Sequence, residues 1–113
     1  MKKTALAMIA ALGLPVLLSA ESWKNAPLVD SMCAGKKEVE AAPDAHTKKC
    51  AIQCRASGYG IFASDGRYLK LDAKGNEKAA AALQATKRTD HLRVDVEGER
   101  DGDEIRVRSI SID

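Results

Sequence analysis

Alternating apolar and polar residues mark the last third of the chain. Between residues 92 and 97, leucine and valine alternate with charged side chains, the pattern of a strand that buries one face. Residues 98–102 contain two glycines and predict a turn. Residues 105–108 resume the alternation, but residues 109–112 carry their apolar side chains one position out of phase. A phase shift within one strand predicts a β-bulge or a bend.

A hairpin and a helix are predicted in the middle of the chain. Residues 59–64 and 67–71 have the composition of two strands, and the Asp-Gly pair at 65–66 between them is typical of two-residue hairpin turns. Asn76 is placed to cap a helix over residues 77–87, which contains four consecutive alanines followed by a leucine. This part of the chain therefore predicts a strand, a tight turn, a second strand and a helix.

The segment before the hairpin predicts one strand and one helix. Residues 22–32 are predicted to be extended, and residues 34–43 are charged enough to form a solvated loop. Asp44 is a suitable N-cap for a helix over residues 45–57, which Gly58 would end in the left-handed conformation. The predicted order of elements is then β-α-β-β-α-β-β.

This order predicts an α+β fold. Five short strands, two short helices and a bent last strand are typical of a small, partly open β-barrel of the oligonucleotide/oligosaccharide-binding (OB) type. A flat α+β sandwich is the alternative.

The first 20 residues have the features of a cleavable secretory signal peptide. Lys2 and Lys3 precede an apolar stretch without charge, and the small residues Ser19 and Ala20 come just before the first acidic residue. An uncleaved anchor is the alternative, but the stretch is shorter than the roughly 18–20 apolar residues that span a bilayer. We therefore expect a single mature domain over residues 21–113, periplasmic or secreted, with no membrane association after cleavage.

Loss of the signal segment changes the charge of the protein. The whole chain has 18 basic and 16 acidic residues, and residues 1–20 include two of the lysines and no acid. The mature domain is therefore neutral, with basic and acidic residues in equal number, and has only four aromatic residues. A neutral domain with few aromatic side chains lacks the basic and stacking surface of nucleic-acid-binding proteins, and we expect no nucleic-acid partner.

Cysteine and histidine form the only cluster that indicates chemistry. On the predicted helix, His46, Cys50 and Cys54 are spaced by four residues and share one face, and Cys33 comes from the preceding strand. These are ligand types for Zn²⁺, and thiolates also favour Cu⁺, so zinc or copper is the expected cofactor if a metal is bound. His46 and Cys54, the first and last of these three residues, would lie about 12 Å apart along a straight helix. Either the helix breaks, or only two of the three bind together with Cys33.

A disulfide is the alternative for the same cysteines. An exported protein folds under oxidising conditions, and a small domain gains about 3 kcal/mol from such a bridge. Cys50 and Cys54 are badly placed to bridge each other on one helix, so the bridge would join Cys33 to one of them. The remaining cysteine would be buried as a small apolar residue or left free.

Several short motifs together resemble a group of uncharacterised small bacterial exported proteins. The segments that carry the resemblance are residues 28–33, 46–54, 58–60, 65–68, 94–98 and 103–107. In that group an Asp-x-x-Cys element precedes a His-x-x-x-Cys-x-x-x-Cys element and a small-barrel ending. The resemblance implies a secreted small-barrel domain in which Cys33, His46, Cys50 and Cys54 form one site, and it implies no reaction.

The sequence favours a binding or structural role over catalysis. It contains no nucleophile elbow, phosphate-binding loop, dinucleotide fingerprint or Cys-x-x-Cys redox pair. We expect a monomeric, non-catalytic exported barrel with a structural Cys/His site, held by a disulfide or a soft metal ion. The alternatives are a periplasmic thiol-redox or metal-transfer protein, and a barrel that binds a ligand on its face.

Overall fold

Five β-strands close into a barrel in the order β1-β2-β3-β5-β4. The strands are β1 (Glu21–Asp30), β2 (Tyr59–Phe62), β3 (Tyr68–Leu71), β4 (Arg93–Asp101) and β5 (Glu104–Ile112). All neighbours are antiparallel except β3 and β5, which run parallel. The predicted small five-stranded barrel is confirmed, and it is closed rather than partly open.

This architecture comes from a computed structural model, which describes residues 20–112. The predicted signal peptide lies outside the described residues, apart from Ala20 at its end. Within the described range, no helix combines the length and the apolar character needed to cross a bilayer.

The predicted bulge is present in β5. Glu97 pairs with Ser109 and the next residue, Gly98, pairs with Val107, so Arg108 is the extra residue. This explains the change of apolar phase along the last strand. The turn predicted to begin at Gly98 is wrong, because β4 continues to Asp101. Gly98 is required inside the strand instead, since a Cβ there would collide with the backbone carbonyl of Arg106.

The barrel interior is filled by the apolar faces of all five strands and by two helices. One helix, α4 (Ala73–Ala85), lies between β3 and β4 as predicted and contributes Ala79 and Leu83 to the core. It begins earlier than predicted, because Asp72 rather than Asn76 is its N-cap and accepts a hydrogen bond from Gly75 N–H at 2.9 Å. Asn76 Oδ1 instead accepts from the backbone of Tyr59 at 2.8 Å.

Residues 31–58 form an insertion between β1 and β2 that differs from the prediction. It contains three short helices, α1 (Ser31–Ala34), α2 (Lys37–Ala41) and α3 (Lys48–Gln53), and two single turns of 3₁₀ helix at Pro43–Ala45 and Arg55–Ser57. The charged loop predicted over residues 34–43 is therefore largely helical. The single helix predicted over residues 45–57 is broken, because Thr47 caps α3 by accepting from Cys50 N–H at 3.2 Å.

The insertion covers part of the outside of the barrel. Successive residues of β1 point to opposite sides, so Leu28 packs in the barrel core and Val29 in a second, smaller cluster. The members of that outer cluster are Val29, Cys33 and Ala34, packed against Val39, Cys54, Phe62 and Tyr68. Tyr68 reaches from β3 towards β1, where its hydroxyl donates to the Val29 carbonyl at 2.8 Å. The outer faces of β1, β2 and β3 are thus covered by the chain itself.

Candidate metal centre

Three side chains of metal-ligating type meet where β1 joins the insertion. Each of Asp30, Cys33 and His46 offers one ligand atom, and these atoms all lie within 4.8 Å of one another. All three residues are buried, and Asp30 has no exposed surface. A group of three such residues at this spacing could hold a metal ion.

Asp30 is the polar centre of this group. As the last residue of β1 it is also the N-cap of α1, and its Oδ2 accepts a hydrogen bond from Cys33 N–H at 2.9 Å. The Asp-x-x-Cys spacing is therefore the spacing of an N-cap and the third residue of a helix. The cap fixes the carboxylate of Asp30 beside the side chain of Cys33.

His46 approaches the same carboxylate from the middle of the insertion. The 3₁₀ turn Pro43–Ala45 carries it there, and its Nε2 lies 2.7 Å from Asp30 Oδ1. An ionised carboxylate only accepts hydrogen bonds, so opposite an ionised Asp30 the Nε2 atom of His46 is the donor of this bond. Only 7% of the surface of His46 is exposed.

The thiol of Cys33 is kept in its protonated form by its surroundings. Burial, followed by the negative charge of Asp30 and a hydrogen bond to it, raises the pKa of Cys33 to about 11. A cation at the group would reverse this balance, because a metal ion displaces the thiol proton and neutralises the charge of Asp30.

Tyr59 forms part of the wall beside Asp30. The two residues are paired across β1 and β2, and the Tyr59 hydroxyl donates to the Ala51 carbonyl of α3 at 2.9 Å. Burial, and to a lesser extent the charge of Asp30, raises the pKa of Tyr59. This contact ties α3 to β2, the strand paired with the one that carries Asp30.

The structure brings together two of the four residues that the sequence predicted. Cys33 and His46 belong to the group, whereas Cys50 is exposed and Cys54 is partly buried in the outer cluster. The helix that carries Cys50 begins only at Lys48, so His46 lies before it and not on a shared helical face with Cys50 and Cys54. Asp30 was missed as a site residue. The signal that could have revealed it is an acidic residue at the end of an apolar strand, three positions before a cysteine.

The structure contains none of the predicted disulfides. Cys33, Cys50 and Cys54 are all free thiols. The Cys33 sulfur lies beside Asp30 and His46 instead of being bonded to a second sulfur.

A small cavity reaches the group from the surface. It has a volume of about 240 Å³ and is lined by His46 and Cys50, with Glu38 among the remaining residues. We call it the His46 pocket. No described residue makes a hydrogen bond to Nδ1 of His46, yet the described part of the chain has no fully buried side-chain nitrogen or oxygen without a partner. His46 is one of the residues that line the His46 pocket.

No known family model, curated protein or solved structure matches this chain. The resemblance to small exported proteins drawn from the sequence therefore stays a prediction, and the case for function depends on the geometry of the group.

Proposed function

We propose that this protein is an exported, non-catalytic barrel domain that binds one Zn²⁺ ion through Asp30, Cys33 and His46. The observation that carries the proposal is the burial of an oxygen, a sulfur and a nitrogen ligand within 4.8 Å of one another. The location outside the cytoplasm rests on the pattern of residues 1–20 alone.

The ligand set favours zinc over the other metals. Zn²⁺ is a borderline ion that accepts carboxylate, imidazole and thiolate together, whereas Cu⁺ favours sites richer in sulfur and Mg²⁺ and Ca²⁺ favour oxygen alone. Ligand atoms of a tetrahedral zinc site lie about 3.3–3.8 Å apart, given bonds of about 2.0–2.3 Å. Side-chain movements of about 1 Å would bring the three atoms to these separations.

The hydrogen bond between Asp30 and His46 fits a site that a metal can take over. Its length of 2.7 Å is shorter than the separation of two ligands on one ion, because a proton lies between the two atoms. A zinc ion bound by both residues would replace that proton and increase the distance between Asp30 Oδ1 and His46 Nε2 by at least about 0.6 Å. Three protein ligands leave a fourth position for water or another thiol.

A thiol-redox role and the binding of a ligand on the barrel face, both predicted as alternatives from the sequence, have less support. A redox role requires a reactive thiol, whereas the pKa of Cys33 is raised to about 11. Binding of an oligomer on the barrel face would use the surface of β2 and β3, whose outer side chains Phe62 and Tyr68 pack in the outer cluster.

Calorimetric titration of the mature protein with Zn²⁺ tests the proposal. We expect one bound ion per chain, and we expect Cys33→Ser and His46→Ala each to weaken zinc binding at least about 100-fold, because each removes a ligand. Cys54→Ser is the matched control, since it removes a thiol outside the group and should leave the affinity unchanged. Absence of zinc binding by the wild-type protein, or equal affinity in all variants, would contradict the proposal.

A further inference from the structure

The two ring nitrogens of His46 face different surroundings. Nε2 lies 2.7 Å from Asp30 Oδ1, whereas no described residue makes a hydrogen bond to Nδ1, and His46 lines the His46 pocket. A histidine whose inner N–H is held by a carboxylate presents its outer nitrogen as a ligand, the arrangement found where a carboxylate orients a metal-binding histidine. The residue is nevertheless 93% buried, so the pocket is a specific approach to it rather than open surface.

Cys50 lies on the same pocket. It is exposed, it follows His46 by four residues, and both side chains line the cavity of about 240 Å³. Cys54, the other cysteine of α3 and its C-cap, belongs to the outer cluster and does not line this pocket. The pocket is therefore lined both by the histidine of the buried group and by an exposed cysteine.

The buried group needs a route by which an ion can reach it. Asp30, Cys33 and His46 are each at least 92% buried, so a hydrated cation cannot contact all three ligands from solvent in one step. The His46 pocket leads from solvent to one of the three residues, and an ion that loses water there needs replacement ligands. Nδ1 of His46 and the sulfur of Cys50 are the soft ligands at that point.

We propose that Cys50 and Nδ1 of His46 form an outer site at which Zn²⁺ is first bound and from which it is exchanged with a thiol-bearing donor or acceptor. This inference rests on the proposed function. It means that the bound ion is exchanged with other molecules rather than held permanently as a structural ion. On binding, Cys50 releases its thiol proton to water. The ion then passes to the inner ligands as Nε2 of His46 gives up its proton to solvent while Nδ1 takes one from solvent, and as Cys33 loses its thiol proton and the Cys50 thiolate takes one up.

The kinetics of zinc exchange separate an outer ligand from a resident one. Zinc-loaded mature protein is mixed with an excess of a chromogenic chelator, and the release rate is followed for wild type, Cys50→Ser and Cys54→Ser. Uptake is followed with Co²⁺ through the thiolate-to-cobalt absorption. We expect Cys50→Ser to slow both release and uptake at least about tenfold while the equilibrium affinity changes less than about threefold. Cys54→Ser should exchange at the wild-type rate.

Other results would contradict either the outer site at Cys50 or zinc binding itself. Exchange at the wild-type rate in Cys50→Ser shows that the ion does not use this thiol. A loss of affinity of about 100-fold in Cys50→Ser would make Cys50 a resident ligand and would equally overturn the outer site. Failure of the wild-type protein to bind zinc is a separate result, because it removes the proposed function itself. Circular dichroism of Cys50→Ser verifies that the exposed substitution leaves the fold intact.

Discussion

A single carboxylate, that of Asp30, forms hydrogen bonds with a residue near the start of the insertion and with one in its middle. It bonds Cys33 N–H three residues later and His46 Nε2 sixteen residues later. Residue types identified Cys33 and His46 as candidates, because cysteine and histidine are uncommon and chemically distinctive. Asp30 was not identified, since aspartate is frequent at turns and only its position as a helix cap, fully buried, distinguishes it from the rest.

Alkylation rates should distinguish Cys33 from Cys50 in the metal-free protein. The pKa of Cys33 is raised to about 11, so at about pH 8 its thiolate fraction is small, and the residue is also buried. We expect a haloacetamide to modify exposed Cys50 first and Cys33 only slowly, with the Cys33 rate rising as the pH approaches 11. Peptide mass spectrometry after timed quenching measures both rates. Modification of Cys33 as fast as Cys50 at about pH 8 would contradict this account of its environment.

Among the elements, the broken helix of the insertion decides which ligands meet. A straight helix over residues 45–57 cannot bring His46, Cys50 and Cys54 to one ion, and the structure resolves this conflict by starting α3 at Lys48. The backbone of His46 is then extended, with a ψ of 126°. The residue lies between the 3₁₀ turn and Thr47, which caps α3. Helix propensity alone could not predict the break, because it depends on the fixed approach of His46 to Asp30.

The 3₁₀ turn that precedes His46 is held to the barrel by an ion pair. Arg93 of β4 donates two hydrogen bonds to the Asp44 carboxylate, both of 2.8 Å. These bonds lower the pKa of Asp44 below its ordinary value of 3.8. About one third of each side chain is exposed, so we assign the pair a modest stabilisation of about 0.5–1 kcal/mol.

Asp44→Asn should lower the stability of the protein in a pH-dependent way. Because the pKa of Asp44 is lower in the folded than in the unfolded state, the stabilisation is complete above pH 3.8 and is lost as the pH falls through the folded pKa. Urea denaturation should show a deficit of about 0.5–1 kcal/mol at neutral pH that shrinks towards about pH 2. Glu77→Gln, an exposed substitution on α4, is the control. A deficit that grows on acidification would reverse the assigned sign.

For the molecule as a whole, the strands and the hairpin of β2 and β3 were predictable from the sequence, whereas the pairings between distant strands were not. Alternation identifies a half-buried strand and a phase shift identifies the bulge of β5, because both are local properties of the chain. Pairing of β3 with β5 in parallel, and of β1 with β4 to close the barrel, joins segments separated by the whole of α4 or by most of the chain. The hydrophobic pattern sets which face is buried, but it carries no information about which strand lies alongside.

Export through the predicted signal peptide is a prediction about the full-length protein. We expect the full-length protein, expressed in a bacterium with a periplasm, to be recovered there with Glu21 as its first residue. N-terminal sequencing and intact mass measure the cut. Replacement of Lys2 and Lys3 by glutamate, which removes the positive n-region, should reduce the exported fraction. Recovery of uncleaved protein in the membrane fraction would favour the anchor instead.

The two ends of the insertion lie side by side in the sheet. Asp30 is paired with Tyr59, and Ser31 N–H donates to the Gly58 carbonyl at 2.9 Å, so residues 31–58 leave and rejoin the barrel at one point. In engineering terms, the insertion is a cassette attached to a β-hairpin, and segments attached in this way tolerate exchange. Residues 30–58 could therefore be transplanted to the corresponding hairpin of another five-stranded barrel, taking Asp30, Cys33 and His46 with them while the host supplies the rest of the core.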